Sequence, residues 1–188
     1  MSSFVGSSLQ KTVLALLSAV LFVCFFELNG WLFHDFEHKQ GINWLFLPAG
    51  FRVILVLVLG LPGALGLMLG SWYIDAGLID GPNILLAFLN GVAGGLTPWL
   101  VMKYLQKQQW LSDQLQKLNP LQLLNLTLST SAASAAAHQM VWLWLERPQT
   151  NFWVDVWPMF IGNVTGALVM LYGFKFVLDR MRLVHPNR

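Results

Sequence analysis

Charge is what this chain has least of. Only 11% of its 188 residues are Asp, Glu, Lys or Arg, less than half of the roughly 25% that an ordinary soluble domain carries. A water-facing surface cannot be built from so small a stock, which excludes a soluble globular enzyme. The net charge of +2 is too small and too scattered to attract nucleic acid. The one cysteine, Cys24, sits inside an apolar run, so an internal disulfide is excluded and the redox compartment is not indicated. There is no Gly-x-Ser-Gly setting for an activated serine and no phosphate-binding loop. A haem carrier needs paired histidines deep in facing helices, and only His138 lies deep in an apolar segment. His34 and His38 fall beside Asp35 and Glu37 in a polar loop, at best a weak metal site. No enzymatic activity, metal or cofactor is expected.

Apolar residues fill the space that charge leaves, at 56% of the chain. Lipid must solvate most of the exterior, and several apolar runs approach the roughly 20 residues needed to cross a hydrocarbon core. The expectation is an all-α, polytopic membrane helix bundle forming a single integral membrane domain over 1–188. The N-terminal run lacks a small-residue cleavage site, so it reads as a retained helix and not a signal peptide. About six transmembrane segments are expected, over about 12–33, 44–59, 62–74, 83–104, 121–145 and 152–178. The second and third are short for a full crossing and are separated by Gly60-Leu61-Pro62-Gly63, a turn signal. They read either as tilted short helices or as a re-entrant hairpin. Residues 106–119 are polar, but Trp110, Leu111, Leu115 and Leu118 recur at helical spacing, which predicts an amphipathic helix on the inner leaflet or a partner.

Lysine and arginine cluster at Lys11, Lys103, Lys107, Lys117, Lys175, Arg180, Arg182 and Arg188, against Lys39 and Arg147 at the opposite ends of the segments. By the positive-inside rule both termini should be cytoplasmic. The other side is acidic and holds seven of the nine tryptophans, which an interfacial aromatic belt explains. Small residues four apart recur as Ala15/Ala19, Gly66/Gly70, Gly91/Gly95 and Gly162/Gly166, the spacing that lets helix backbones approach closely in lipid.

Polar residues inside the segments are the candidate binding residues. Along the fifth segment Thr127, Ser131, Ser134, His138 and Trp142 form one stripe at helical period. At 1.5 Å per residue, His138 lies roughly 10 Å below the outer end, Glu27 roughly 9 Å and Arg52 roughly 12 Å. Buried charge at that depth costs a few kcal/mol unless paired, so a Glu27–Arg52 pair is expected. Gln139, Asn163 and Asp155 fall in the same outer half. Convergence of these six groups beneath an aromatic rim predicts an outward-facing pocket for a small polar or anionic molecule, with Arg52 and a protonated His138 as positive contacts.

The stretch Phe46-Leu47-Pro48-Ala49-Gly50-Phe51-Arg52, followed by Pro62-Gly63 and Leu69-Gly70-Ser71-Trp72, resembles the hairpin of the membrane-associated sensor domain family. That family includes the membrane region of bacterial sugar-phosphate sensor kinases and related signalling proteins. Thr97-Pro98-Trp99 and Gly162-Asn163-Val164-Thr165-Gly166 are looser matches. The resemblance implies a multi-helix sensory bundle in a bacterial inner membrane. It also implies structural roles for Pro48, Gly50, Pro62 and Gly63, with Arg52 facing a ligand. Such domains normally precede a kinase, cyclase or phosphodiesterase; here a separate signalling protein is expected to supply the output. The competing reading is the substrate-binding membrane subunit of a modular vitamin or metal transporter, and a third is a structural subunit of a membrane complex.

Overall fold

A computed structural model describes residues 2–79, 83–112 and 118–184. Among the described residues seven helices carry the fold: α1 Ser2–Phe33, α2 Leu47–Leu59, α3 Leu61–Ile74, the single turn α4 Ala76–Ile79, α5 Ile84–Lys107, α6 Pro120–Trp144 and α7 Phe152–Val184. Between α1 and α2 the chain makes a 3-10 turn, His34–Phe36, and a two-stranded antiparallel hairpin, β1 Glu37–Lys39 and β2 Ile42–Asn43. Gly41, at φ +84°, makes the reversal between the strands.

The helix ends follow from local chemistry. Gly60, at φ +62°, closes α2 and opens α3, and Pro62 stands in the first turn of α3 where its missing N–H costs nothing. The two short helices are therefore one tight hairpin. Asn119 caps α6 through a reciprocal pair with Gln122: the Asn119 side chain accepts from Gln122 N at 2.8 Å, and Gln122 Oε1 accepts from Asn119 N at 3.2 Å.

The expectation of about six transmembrane segments with both termini cytoplasmic is corrected. Among the described residues only three helices are long and apolar enough to cross a membrane, over Ser7–Phe36, Ile84–Lys107 and Phe152–Phe174. The helices α2 and α3 have 13 and 14 residues, and so rise only about 20 Å against a core of about 30 Å. At 25 residues α6 is long enough, but its run of serine, threonine and alanine around His138 and Gln139 makes it too polar. The crossing count that brought the two termini to one side no longer holds. Of the amphipathic helix expected over 106–119, the described residues 108–111 are turn and bend. Gln106 and Lys107 end α5, Gln109 turns at φ +60°, and the N–H groups of Trp110 and Leu111 both donate to Leu105 O. Residues 113–117, with Leu115, lie outside the described residues.

The chain is nonetheless a membrane-associated protein with more than one apolar span. Large side chains such as Leu9, Val13, Leu16, Val20, Phe88 and Leu100 point outward from α1 and α5. Trp31, Trp144, Trp153 and Trp157 are exposed around the hairpin end of the bundle, where indole rings suit a headgroup layer.

Small residues set the packing. On one side of α3, Gly66 lies against Ala15 O and Ser18, and Gly70 against Ala19 O and Phe22. On the other, Gly95 of α5 lies against Met68 and Ala64 O, and Gly91 against the Trp72 indole. Three of the four small-residue pairs thus hold α3 between α1 and α5. The fourth, Gly162/Gly166 of α7, receives the backbone of Asn43 and Phe46. There Phe46 N donates to Gly162 O at 3.0 Å and Thr165 Oγ1 donates to Trp44 O at 2.8 Å. Gly50 of α2 likewise abuts Ala167 and Met170 of α7.

A Cβ at Gly66 meets main chain, which cannot swing aside. Gly66→Val is therefore expected to destabilise the bundle by about 1–3 kcal/mol or more. Gly173→Ala, with open space around it in the interior of α7, should not destabilise and gains up to about 1 kcal/mol of helix propensity. Thermal unfolding in detergent checks both, and a Gly66→Val midpoint equal to wild type contradicts the packing.

Candidate functional site

A cavity of about 400 Å³ opens at the hairpin end, within the range of small-molecule sites. Its walls come from all the main elements, with the hairpin above and Arg52 below. Phe22, Phe26 and Asn29 of α1 form one wall, Ser71 and Asp75 of α3 a second, and Asn90 of α5 with His138 and Trp142 of α6 a third. Met159 and Asn163 of α7 complete it, while Glu37, Gly41 and Asn43 close the top.

Arg52 is 8% exposed. Its guanidinium carbon stands 4.9 Å from the Phe22 ring centroid and 5.3 Å from that of Phe46. Its Nε makes no hydrogen bond, and no carboxylate pairs with the group, among the described residues. The expected Glu27–Arg52 pair is thus corrected: Glu27 is exposed on α1, outside the cavity. Two cation–π contacts supply about 1 kcal/mol each, whereas burying a charge without a partner costs several. The cost of burying the guanidinium is therefore only partly offset by its neighbours among the described residues.

Of the other expected residues, His138 and Asn163 line the cavity. His138 Nδ1 is 2.8 Å from Ser134 O, one turn back, and Asn163 Nδ2 donates to Ser131 O at 3.5 Å. Gln139 and Asp155 do not line it. Gln139 is fully buried on another face of α6, with both amide atoms unpartnered among the described residues. Asp155 instead anchors the hairpin. Its Oδ2 accepts from Lys39 Nζ at 2.6 Å and from Asn151 N at 2.8 Å, and Oδ1 stands 3.9 Å from His38 Nε2. Lys39 also donates to Gln149 O, and Arg147 Nη2 donates to Gln40 O at 3.0 Å. These contacts tie the cavity roof to the α6–α7 connection.

Pro48 and Pro62 begin the two short helices, and Gly63 packs against Leu55 O while its own carbonyl accepts from Ser18 Oγ at 2.9 Å. Asn29 Oδ1 accepts from Leu47 N at 2.9 Å, fixing the start of α2 against α1.

Sequence reasoning missed the polar chain across the third wall. Trp142 Nε1 donates to Asn90 Oδ1 at 2.9 Å, and Asn90 Nδ2 donates to Asp75 Oδ2 at 2.9 Å. Trp142 belongs by position both to the outer-half tryptophans and to the polar stripe of α6, and its burial in the structure follows the stripe. The signal for Asn90 is that it is the one amide within an apolar glycine-rich segment. No protein-family model, curated protein or solved structure matches the chain. The site must therefore be read from its own chemistry. Among the described residues no group of three or more His, Cys, Asp or Glu side chains is placed to hold a metal ion.

Burial pushes the Asp75 carboxyl above the usual carboxylate range, opposed by the Asn90 hydrogen bond and the field of Arg147. A raised folded-state value means that stability is fully present below the ordinary carboxyl pKa of about 4 and declines as pH rises through the raised value. Asp75→Asn removes that cost and preserves the acceptor for Asn90. The variant is expected to melt above wild type at neutral pH, with the difference vanishing toward about pH 4. Equal melting at neutral pH contradicts the assignment.

Proposed function

We propose that this protein is a non-catalytic, sensor-like membrane module that binds a small anionic or polar solute in an outward-facing pocket. The reading is carried by one observation: a guanidinium nine-tenths buried, without a carboxylate or hydrogen-bond partner among the described residues, at the floor of a cavity of about 400 Å³. Arginine presents a planar fork matched to carboxylate and phosphate oxygens. Ser71 Oγ lies at the same level: a Cβ placed on Gly94 would stand 3.1 Å from it and 3.5 Å from Arg52 Nη2. The fork and the hydroxyl are thus positioned to share one anionic group.

The resemblance of the Leu47–Arg52 and Pro62–Trp72 stretches to membrane-associated sensor domains supports the same reading. The residues carrying that likeness form the hairpin that holds Arg52 under the cavity. In this reading the protein sits in a bacterial inner membrane and passes occupancy of the pocket to a separate signalling protein through α2 and α7, which pack through Gly50 and Gly166.

Arg52→Gln tests it. The full chain, purified in native lipid, is titrated with inorganic phosphate, sulfate and a panel of small carboxylates, with thermal shift and calorimetry as readouts. Loss of a charge-assisted pair is expected to weaken binding by about tenfold to a hundredfold, with the helical content unchanged. Anion binding equal to wild type in the folded variant removes Arg52 from the site and overturns the reading.

A further inference from the structure

Arg52 is one pole of the cavity, and Asp75 is the other. Ser71 and Asp75 are four residues apart at the end of α3, as are Gly94 and Asn90 on α5. Ser71, Gly94 and the Arg52 guanidinium meet at one level. Asp75 and Asn90 meet at another, joined by their 2.9 Å hydrogen bond. One helical turn, roughly 6 Å along the helix axes, separates the two levels.

The two charges line the same cavity but do not neutralise each other. No ion pair joins them, because Asn90 holds Asp75 Oδ2 and is itself fixed by Trp142. Asp75 Oδ1 has no hydrogen-bond partner among the described residues. The cation whose field reaches Asp75 is Arg147. Its guanidinium is engaged elsewhere, 3.9 Å from the Trp142 ring centroid and donating to Gln40 O. Glu37 brings a second carboxylate to the same side of the cavity, its Oε1 accepting from Gly41 N at 3.3 Å. A simple anion seated on Arg52 leaves this acidic side unmatched, and a dianion is repelled by it. Only a molecule with both signs of charge satisfies the two poles.

We propose that the cavity selects compact zwitterions of the amino-acid type, with a carboxylate on Arg52 and Ser71 and an ammonium on Asp75, assisted by Glu37. This rests on the anion-binding reading above and adds the second half of the recognition. Separation of opposite poles by a fixed distance is what discriminates such a ligand from its one-charge analogues, since the acid leaves the half-buried Asp75 unmatched and the amine leaves the buried Arg52 unmatched.

The test uses matched probes on the full chain in native-lipid particles. The twenty common amino acids and γ-aminobutyrate are each compared by calorimetry with the acid lacking the amine and the amine lacking the carboxylate. At least one zwitterion is expected to bind ten times more tightly than its acid, with no detectable binding of its amine. Asp75→Asn should bring that zwitterion down to the affinity of the acid, and Arg52→Gln should abolish both. An acid that equals its zwitterion in wild type, or a ratio unmoved by Asp75→Asn, overturns the zwitterion proposal and leaves anion binding standing. If Asp75→Asn does not fold, the wild-type ratio decides alone. Absence of binding by every probe, or binding indifferent to Arg52→Gln, overturns both.

Discussion

A guanidinium keeps its charge at any physiological pH, so Arg52 cannot relieve its burial by titrating as a lysine or a carboxylate can. Placing it in an apolar bundle costs several kcal/mol, and the two phenyl rings beside it return only part of that. Much of the surrounding structure relates to this one charge. The rings of Phe22 and Phe46 flank it, the absence of a side chain at Gly94 leaves room for it, and the cavity above gives it an open side. Neither of the two acids whose depth along the helices matches that of Arg52 pairs with it: Glu27 faces outward, and Asp155 is held by Lys39, His38 and Asn151.

Glycine and alanine make the arrangement possible. Van der Waals contact must hold helices together where lipid removes the hydrophobic drive between them. The backbones of α1, α3 and α5 approach closely through Ala15, Ala19, Gly66, Gly70, Gly91 and Gly95. That approach brings Ser71 and Asp75 of a helix too short to cross the membrane into line with Asn90 and Gly94 of one that is long enough. On the other side, Gly162 and Gly166 let the β-hairpin and the start of α2 lie on α7. The floor and the roof of the cavity are therefore fixed by the same kind of contact.

Much of this was legible in the sequence, and the failures have physical causes. The turn at Gly60–Gly63 was readable because glycine and proline have few other uses between two apolar runs. The helix-facing pairs were readable because four-residue spacing marks one face. The crossing count was not, because an apolar run reports burial in lipid or in protein equally well, and α2 is buried mostly in protein, with Leu47 through Val53 all turned from solvent. Of the candidate site, Arg52, His138 and Asn163 converge, whereas Glu27, Gln139 and Asp155 do not. Depth along a helix can be counted from sequence, but the direction in which a side chain leaves the axis depends on neighbours. Asp75 is not legible as a cavity residue from sequence because it stands at a helix end, where an acid ordinarily meets water. Its importance comes from Asn90, fifteen residues later and on another helix.

The central claim is that Arg52 is held unpaired in order to take an anionic group from outside the protein. Native mass spectrometry of the chain extracted with its own lipids tests this without choosing a ligand in advance. A small anion-bearing adduct is expected on wild type and is expected to be lost from Arg52→Gln at matched lipid occupancy. An adduct retained in full by Arg52→Gln, or a wild-type protein free of any small-molecule adduct under conditions that preserve bound lipid, would contradict it.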